Sequence, residues 1–505
     1  MPISSTPARP SEATLARRPS AANVRHPRRS AGHLDQVHRR IDQHAGRRSR
    51  NRITAGLDDD APEPSLRSRL SFDARATHCA VLPTALTLHN YRSFAGPQRL
   101  EIRPITLLYG ENNAGKSALL RSLTLLADST ADNGLDALNF GGRLETLELD
   151  FDSLRWKGRA ETDEHTVGMD LHWADDPVLQ EARFAFWEEQ DWRRLVVQRL
   201  ELVGRAGAIV NFDWLPRRED RRSNALCYCR TSPGANSTQV TLDFRGLVPS
   251  SGEKQASPRI DALGQRLRSL SSQVVWLRSL RPAPERRVRW SGSGSARRQL
   301  DPRGTEAPIV LADEPSLLAE VSSWYREHLQ LELKIEESSK RELRIVLRKI
   351  REAAFDIDLI DTGEGLGQVL PVLTALAMAN GGGTVGGPSI VAIEEPEAHL
   401  HPNLQQALAK RVCEVAGRSG ARVVLETHSK QFLLAVQRAI LREAIAEDDV
   451  IIYWVQQLED GRSVAEPVTL NALARLRGAW PDAAFEAEFD LEADLQDLRD
   501  AKESA

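Results

Sequence analysis

Lysine is nearly missing from this 505-residue chain, which has 9 Lys beside 58 Arg. Cysteine and methionine are scarce too, at 4 and 3 residues. Four cysteines in a chain of this length cannot form a disulfide framework, and they point to a reducing compartment, taken here as the cytoplasm. No run of 18 uncharged apolar residues occurs, which excludes a membrane-spanning helix. The N-terminal region has no apolar core of the secretory type, so it does not read as a signal peptide. What is present is a 41% apolar content, enough to build a real core, in a chain long enough for about three domains.

The two charge signs almost cancel, at 67 basic and 71 acidic residues. Along the chain they do not. Residues 1–56 carry a net +9, residues 191–300 a net +12, and the remainder −25. Arg richness follows the habit of the whole chain, so only its local excess is informative. Residues 1–80 read as an Arg-rich, disordered leader, with an organelle-targeting segment as the alternative. Residues 81–190 and 301–485 read as the two parts of one catalytic head, 191–300 as a basic insertion between them, and 486–505 as an acidic tail.

The strongest chemical signal is Gly110-Glu111-Asn112-Asn113-Ala114-Gly115-Lys116-Ser117, a G-x-x-x-x-G-K-S run. It follows the apolar segment PITLLY and opens the helix-like run SALLRSLTLLAD, the context that a phosphate-binding loop requires. The glycines let backbone N–H groups and a helix N-terminus face an anion. Lys116 is expected to reach the β- and γ-phosphates of ATP, and the Ser117 hydroxyl to ligate Mg²⁺. Downstream, SIVAI ends in the adjacent acids Glu394 and Glu395. Like charges side by side at a strand end favour a nearby cation. Glu394 is therefore the expected metal-supporting acid, and Glu395 the base that orients the attacking water. His428 ends the next apolar segment and is the candidate γ-phosphate sensor.

The segments LHNYRSF, LLYGENNAGKSALL, DTGEGLGQVLPVL, VAIEEPEAHLHP and LETHS, in this order, resemble the ABC-type ATPase heads of the RecF/SMC/OLD superclass. The likeness is greatest to the AAA-like ATPases of prokaryotic defence and repair modules. Looser echoes are WLRSLRPAPERRVRW at 276–290 and Trp480-Pro481. The resemblance implies an α/β P-loop NTPase fold of ABC-ATPase type, with an antiparallel β subdomain and an α+β insertion between P-loop and signature helix. It also implies an ATP-dependent homodimer in which the signature of one head caps the nucleotide of the other. Gly363, Gly365, Gly367 and Gln368 stand where that signature would be. The superclass often has Ser where Gly367 stands, so one hydroxyl donor is expected to be missing and hydrolysis to be slow. Toprim nuclease signatures are absent after His428, which turns the search to a separately encoded nuclease or toxin effector. Within 191–300, Arg278, Arg281, Arg286, Arg287 and Arg289 with Trp276 and Trp290 are the expected DNA contacts. The alternative is a basic subdomain that pairs with acidic surfaces, including the chain's own.

Overall fold

The computed structural model describes residues 82–481, apart from short internal stretches at 132–133, 159–165, 175, 208, 252–257, 291–298, 339–340, 351–355 and 382–388. The expected leader and acidic tail lie outside the described residues.

The first elements are β1 (Ala85–His89), β2 (Gln98–Glu101), β3 (Ile105–Gly110) and helix α1 (Lys116–Ser129). β1 and β2 form the hairpin that their alternation predicts. An antiparallel run follows: β4 (Val167–His172), β5 (Glu181–Glu189), β6 (Arg194–Val203), β7 (Ile209–Trp214), β8 (Ala225–Thr231), β9 (Thr238–Arg245) and β10 (Val248–Ser251). With β1 and β2 at one edge, these strands make a nine-stranded sheet in the order β10-β9-β8-β7-β6-β5-β4-β1-β2. The TLELDF segment at 146–151, which alternates like a strand, is instead a 3-10 turn over Gly142–Leu147 and the start of a one-turn helix.

The chain then enters helix α2 (Pro258–Gln273), β11 (Val274–Leu277) and the short β12 (Val288–Arg289). Helices α3 (Ala307–Asp313) and α4 (Pro315–Leu329) lead to β13 (Leu331–Glu337), β14 (Glu342–Lys349) and β15 (Asp356–Asp358), which with β12 form a small sheet. The last part alternates strand and helix: α5 (Glu364–Ala379), β16 (Ile390–Glu394), α6 (Pro402–Ser419), β17 (Arg422–Glu426), α7 (Lys430–Leu441), β18 (Val450–Gln457), β19 (Ser463–Leu470) and β20 (Leu476–Gly478).

The second large sheet runs β11-β16-β17-β3-β18-β19-β20. Its first five strands are parallel and its last two antiparallel. Its strands read as unbroken apolar runs because both faces are covered, and alternate residues feed different cores. Leu108, Trp276, Ala392 and Val424 face a core shared with the nine-stranded sheet. Leu107, Leu277, Ile393 and Leu425 face a core built with α4 to α7. This is an α/β P-loop NTPase fold with an antiparallel β layer.

Segment 191–300 is not set apart by this architecture. Its first strand, β6, pairs with β5, and its last long strand, β11, is an edge of the parallel sheet. Counted in chain order, the five parallel strands stand 2-3-4-1-5, so strand 1, which carries the P-loop, lies between strands 4 and 5. Open α/β sheets place ligands at the carboxyl ends of strands, where the order reverses. Residues distant in sequence therefore meet at the end of β3.

Candidate functional site: a phosphate cradle at the end of β3

Gly110 ends β3 with φ 141°, and Gly115 precedes α1 with φ 104°, both in the region that favours glycine. Packing is as demanding as conformation. A Cβ on Gly110 would lie 1.9 Å from the Val455 carbonyl oxygen, and one on Gly115 would lie 2.7 Å from Ser93 Oγ. The loop thus wraps against β18 on one side and the β1–β2 hairpin on the other. Lys116 is 3% exposed, and its Nζ donates to the carbonyls of Gly110 at 3.0 Å and Glu111 at 2.7 Å. Burial lowers its pKa, while Glu426, Glu395 and Glu111 oppose the shift.

A cavity of about 610 Å³ opens at the loop. That size suits a small-molecule ligand. Arg92, Lys116, Arg121, Arg155 and Lys157 line it, and Glu426 is the acid among its lining residues. Such a cationic lining suits a polyphosphate. Arg92 is held there by its own backbone, with φ 56° and its N–H donating to the Leu154 carbonyl at 2.6 Å. Its guanidinium donates to the Ser153 carbonyl at 2.9 Å.

The two acids at the end of β16 have different surroundings. Glu394 is 1% exposed and fully engaged. It accepts from Arg121 Nε at 2.6 Å and Nη2 at 2.8 Å, from Trp276 Nε1 at 3.1 Å and from the Ser279 N–H at 3.3 Å. The expected metal-supporting acid is therefore paired with Arg121. The Ser117 hydroxyl instead donates to Glu426 Oε1 at 2.9 Å. Glu426, at the end of β17, is 5% exposed, and its other oxygen is buried without a hydrogen-bond partner. Burial pushes its pKa up to about 7, the Ser117 hydrogen bond opposes this, and the charge of Glu394 adds to it. A hydroxyl beside an unsatisfied buried carboxylate oxygen is a donor set that fits a hard dication such as Mg²⁺.

Glu395 has φ 43°, and its N–H donates to the Glu426 carbonyl at 2.8 Å. Among the described residues its carboxylate has no hydrogen-bond or ion-pair partner. Its charge nevertheless acts on both Lys116 and His428, so the three groups share one locality. His428 is exposed; burial of its ring's surroundings and the nearby Lys116 lower its pKa, with Glu395 opposing. Glu397 sets the loop that presents it, with Oε1 accepting from Thr427 Oγ1 at 2.7 Å and the His428 N–H at 2.8 Å. His401 caps α6, and His399 lies 3.7 Å from Glu364 with both side chains largely exposed.

The expected signature residues sit at the start of α5, with Gly363 as N-cap. Gly365, Gly367 and Gln368 are buried within their own chain. A Cβ on Gly365 would meet the His399 carbonyl oxygen at 2.3 Å, and one on Gly367 would meet Pro284 Cδ at 2.6 Å. A side chain at 367 would run into Pro284, so this helix start has no room for the hydroxyl that the resemblance places there. Gln368 Nε2 donates to Glu364 Oε1 at 2.8 Å. Gly363 and Glu364 remain exposed at the helix start.

Arg281 joins this helix to the acidic strand. It is 4% exposed and donates to the carbonyls of Arg278 (2.8 Å), Glu394 (3.0 Å), Glu395 (2.9 Å) and Gln368 (3.2 Å). Burial brings its pKa down to about 10, against the pull of Glu397, Glu395 and Glu394. The expected DNA-contacting run is thus largely occupied. Trp276 and Arg281 are buried, and Arg286 pairs with Asp358 at 2.9 Å and Asp361 at 2.5 Å. Arg287 lies 3.8 Å from Asp358, and Trp290 donates to Asp313 at 3.0 Å. The motifs alone did not single out Glu426, Arg121 or Glu397, and they pointed Arg281 toward DNA, not toward this site. The acids among them were visible as LETHS and EEPE, but nothing in the spelling showed which carboxylate meets Ser117.

Two family models match the chain. One, described as "AAA domain, putative AbiEii toxin, Type IV TA system", covers residues 286–435, and the other, "AAA domain", covers 85–148. No curated protein matches. Among solved structures, the chain is similar to an SMC head domain from Thermotoga maritima at 13% identity and TM-score 0.38, over 77% of this chain and 99% of that one. It is also similar to a Pyrococcus furiosus Smc head bound to the C-terminal domain of ScpA, at 10% identity and TM-score 0.39, over 77% and 96%. The P-loop and the parallel strands around it make an α/β P-loop NTPase core, and the chain is similar to AAA domains over residues 85–148 and 286–435.

Proposed function

We propose that this head binds ATP with Mg²⁺ at the end of β3, hydrolyses it slowly, and dimerises in the ATP state to control a separately encoded nuclease or toxin in the cytoplasm. The observation that supports the chemistry is Glu395, a carboxylate without a partner among the described residues, whose charge acts on both Lys116 and His428. The toxin–antitoxin wording of the family matched over 286–435 supports a defence role.

The steps follow from the side chains. Lys116 leaves the Gly110 and Glu111 carbonyls for the β- and γ-phosphates, while the loop N–H groups and the start of α1 hold the remaining charge. Arg92, Arg155 and Lys157 draw the polyphosphate into the cavity. Ser117 and a neighbouring carboxylate hold Mg²⁺, which when bound spreads the charge that develops on the phosphate oxygens. Glu395 orients a water and takes its proton. The charge of Lys116 reaches His428, which supports His428 as the group that registers the γ-phosphate. A second head approaches the exposed Gly363–Glu364 rim of α5, and Arg281 carries that contact to the acidic strand through Gln368.

Glu395→Gln is the test. ATP affinity stays at the wild-type level, hydrolysis falls about 100-fold or more, and the protein collects as a closed dimer in light-scattering chromatography. Normal hydrolysis by this variant removes Glu395 from the role of base. A wild-type turnover on the order of 100 per second removes the slow reading.

A second reading, direct contact with nucleic acid, is favoured by the turn between β7 and β8. There Arg218, Arg221 and Arg222 are exposed.

A further inference from the structure

We infer that Glu426, and not either acid at the end of β16, is the carboxylate that supports the nucleotide-bound metal beside Ser117. The inference rests on the ATP reading of this site and specifies which side chain completes it.

Three observations carry it. First, the hydroxyl expected to ligate the metal already has a carboxylate partner, because Ser117 Oγ donates to Glu426 Oε1 at 2.9 Å. Second, Glu426 Oε2 is buried and has no hydrogen-bond partner, and the residue lines the phosphate cavity. A buried carboxylate oxygen left unsatisfied is costly unless something completes it, and a cation or its water shell does so. Third, Glu394 has no capacity to spare. Both of its oxygens are taken by Arg121, and Trp276 and the Ser279 N–H fill further lone pairs. To reach Ser117, Glu394 would have to abandon a two-pronged ion pair in a nearly solvent-free place. That would also strand Arg121, which lies 5.8 Å over the Trp276 ring.

The geometry gives each acid a separate duty. Glu394 anchors α1 to the sheet through Arg121, Glu395 handles water, and Glu426 handles the metal. The division follows from strand order. β17 lies directly beside β3, whereas β16 is one strand further away. An acid at the end of β17 therefore stands next to the P-loop serine, and an acid at the end of β16 must reach across a strand.

The test compares ATP affinity in EDTA with affinity in Mg²⁺, and follows Mn²⁺ in the ATP complex by electron paramagnetic resonance. Wild type, Glu426→Gln and Glu394→Gln are measured side by side, with thermal melting as the check on folding. Glu426→Gln is expected to bind ATP in EDTA like wild type and to lose about 10- to 100-fold of the metal-dependent gain. Glu426→Asp, which keeps the charge, is expected to recover part of that loss. Glu394→Gln is expected to keep the gain and to melt at a lower temperature. An undiminished metal gain in Glu426→Gln, with normal ATP binding, overturns the assignment alone, as does loss of the gain in Glu394→Gln only. Failure of the wild type to bind ATP at all overturns the ATP reading beneath it.

Discussion

At the residue scale, the site keeps its acids apart: Glu394 is paired with Arg121, Glu426 meets Ser117, and Glu395 has no partner among the described residues. The Arg121–Glu394 pair shows the cost of that arrangement, since Glu394 is almost completely buried. Removing one member of a buried pair leaves an uncompensated charge, a loss of about 3–5 kcal/mol, whereas replacing both with apolar groups of similar size is often neutral. Arg121 retains some solvent access, so the lower end of that range applies here. Arg121→Met should therefore lower the melting temperature sharply, and the double replacement Arg121→Met with Glu394→Met should regain most of it. Denaturant unfolding of the three proteins checks this. A double variant as unstable as the single one would show that the pair is not the anchor described.

At the element scale, α5 is fitted to its neighbours along its glycines. Gly367 faces Pro284, so Gly367→Ser adds volume where there is none, at a cost of about 1–3 kcal/mol. The expected outcome is reduced stability with no rise in ATPase rate. Faster hydrolysis in Gly367→Ser would mean that the hydroxyl reaches a nucleotide after all. This position also shows what could be read from sequence. The segments PITLLY, SIVAI, ARVVLE and VIIYWV become β3, β16, β17 and β18 within a residue or two, because doubly covered parallel strands are spelled as plain apolar runs. The P-loop was legible because its glycines answer a local backbone demand. Partner choice was not. LETHS and EEPE advertise acids, but which acid meets Ser117 depends on β17 lying between β16 and β3. WLRSLRPAPERR looked like a nucleic-acid surface because its spacing cannot reveal that Trp276 and Arg281 are enclosed by Glu394 and α5.

At the scale of the whole molecule, the +12 of residues 191–300 is partly spent inside the fold. Arg266 pairs with Asp176, and Arg286 with Asp358 and Asp361, all acids outside that segment. Cations turned outward at the β7–β8 turn remain available. If nucleic acid binds directly, its affinity at about 50 mM salt should fall when Arg218, Arg221 and Arg222 are replaced by Ala, and should not change in Arg286→Ala. Equal loss in both would place the contact elsewhere. Absence of binding by the wild type leaves the separate effector as the sole reading.

The interleaved strand order has a consequence in time. Gly110 leaves the ribosome 284 residues before Glu394, and later still come Glu426 and the Val455 carbonyl that seats the loop. At roughly 5–20 residues per second, the cradle waits on the order of 15–60 s for its acidic half. A nascent or prematurely ended chain thus exposes a P-loop without Glu395 or Glu426, so the proposed ATPase is inert until nearly all of the head has been made.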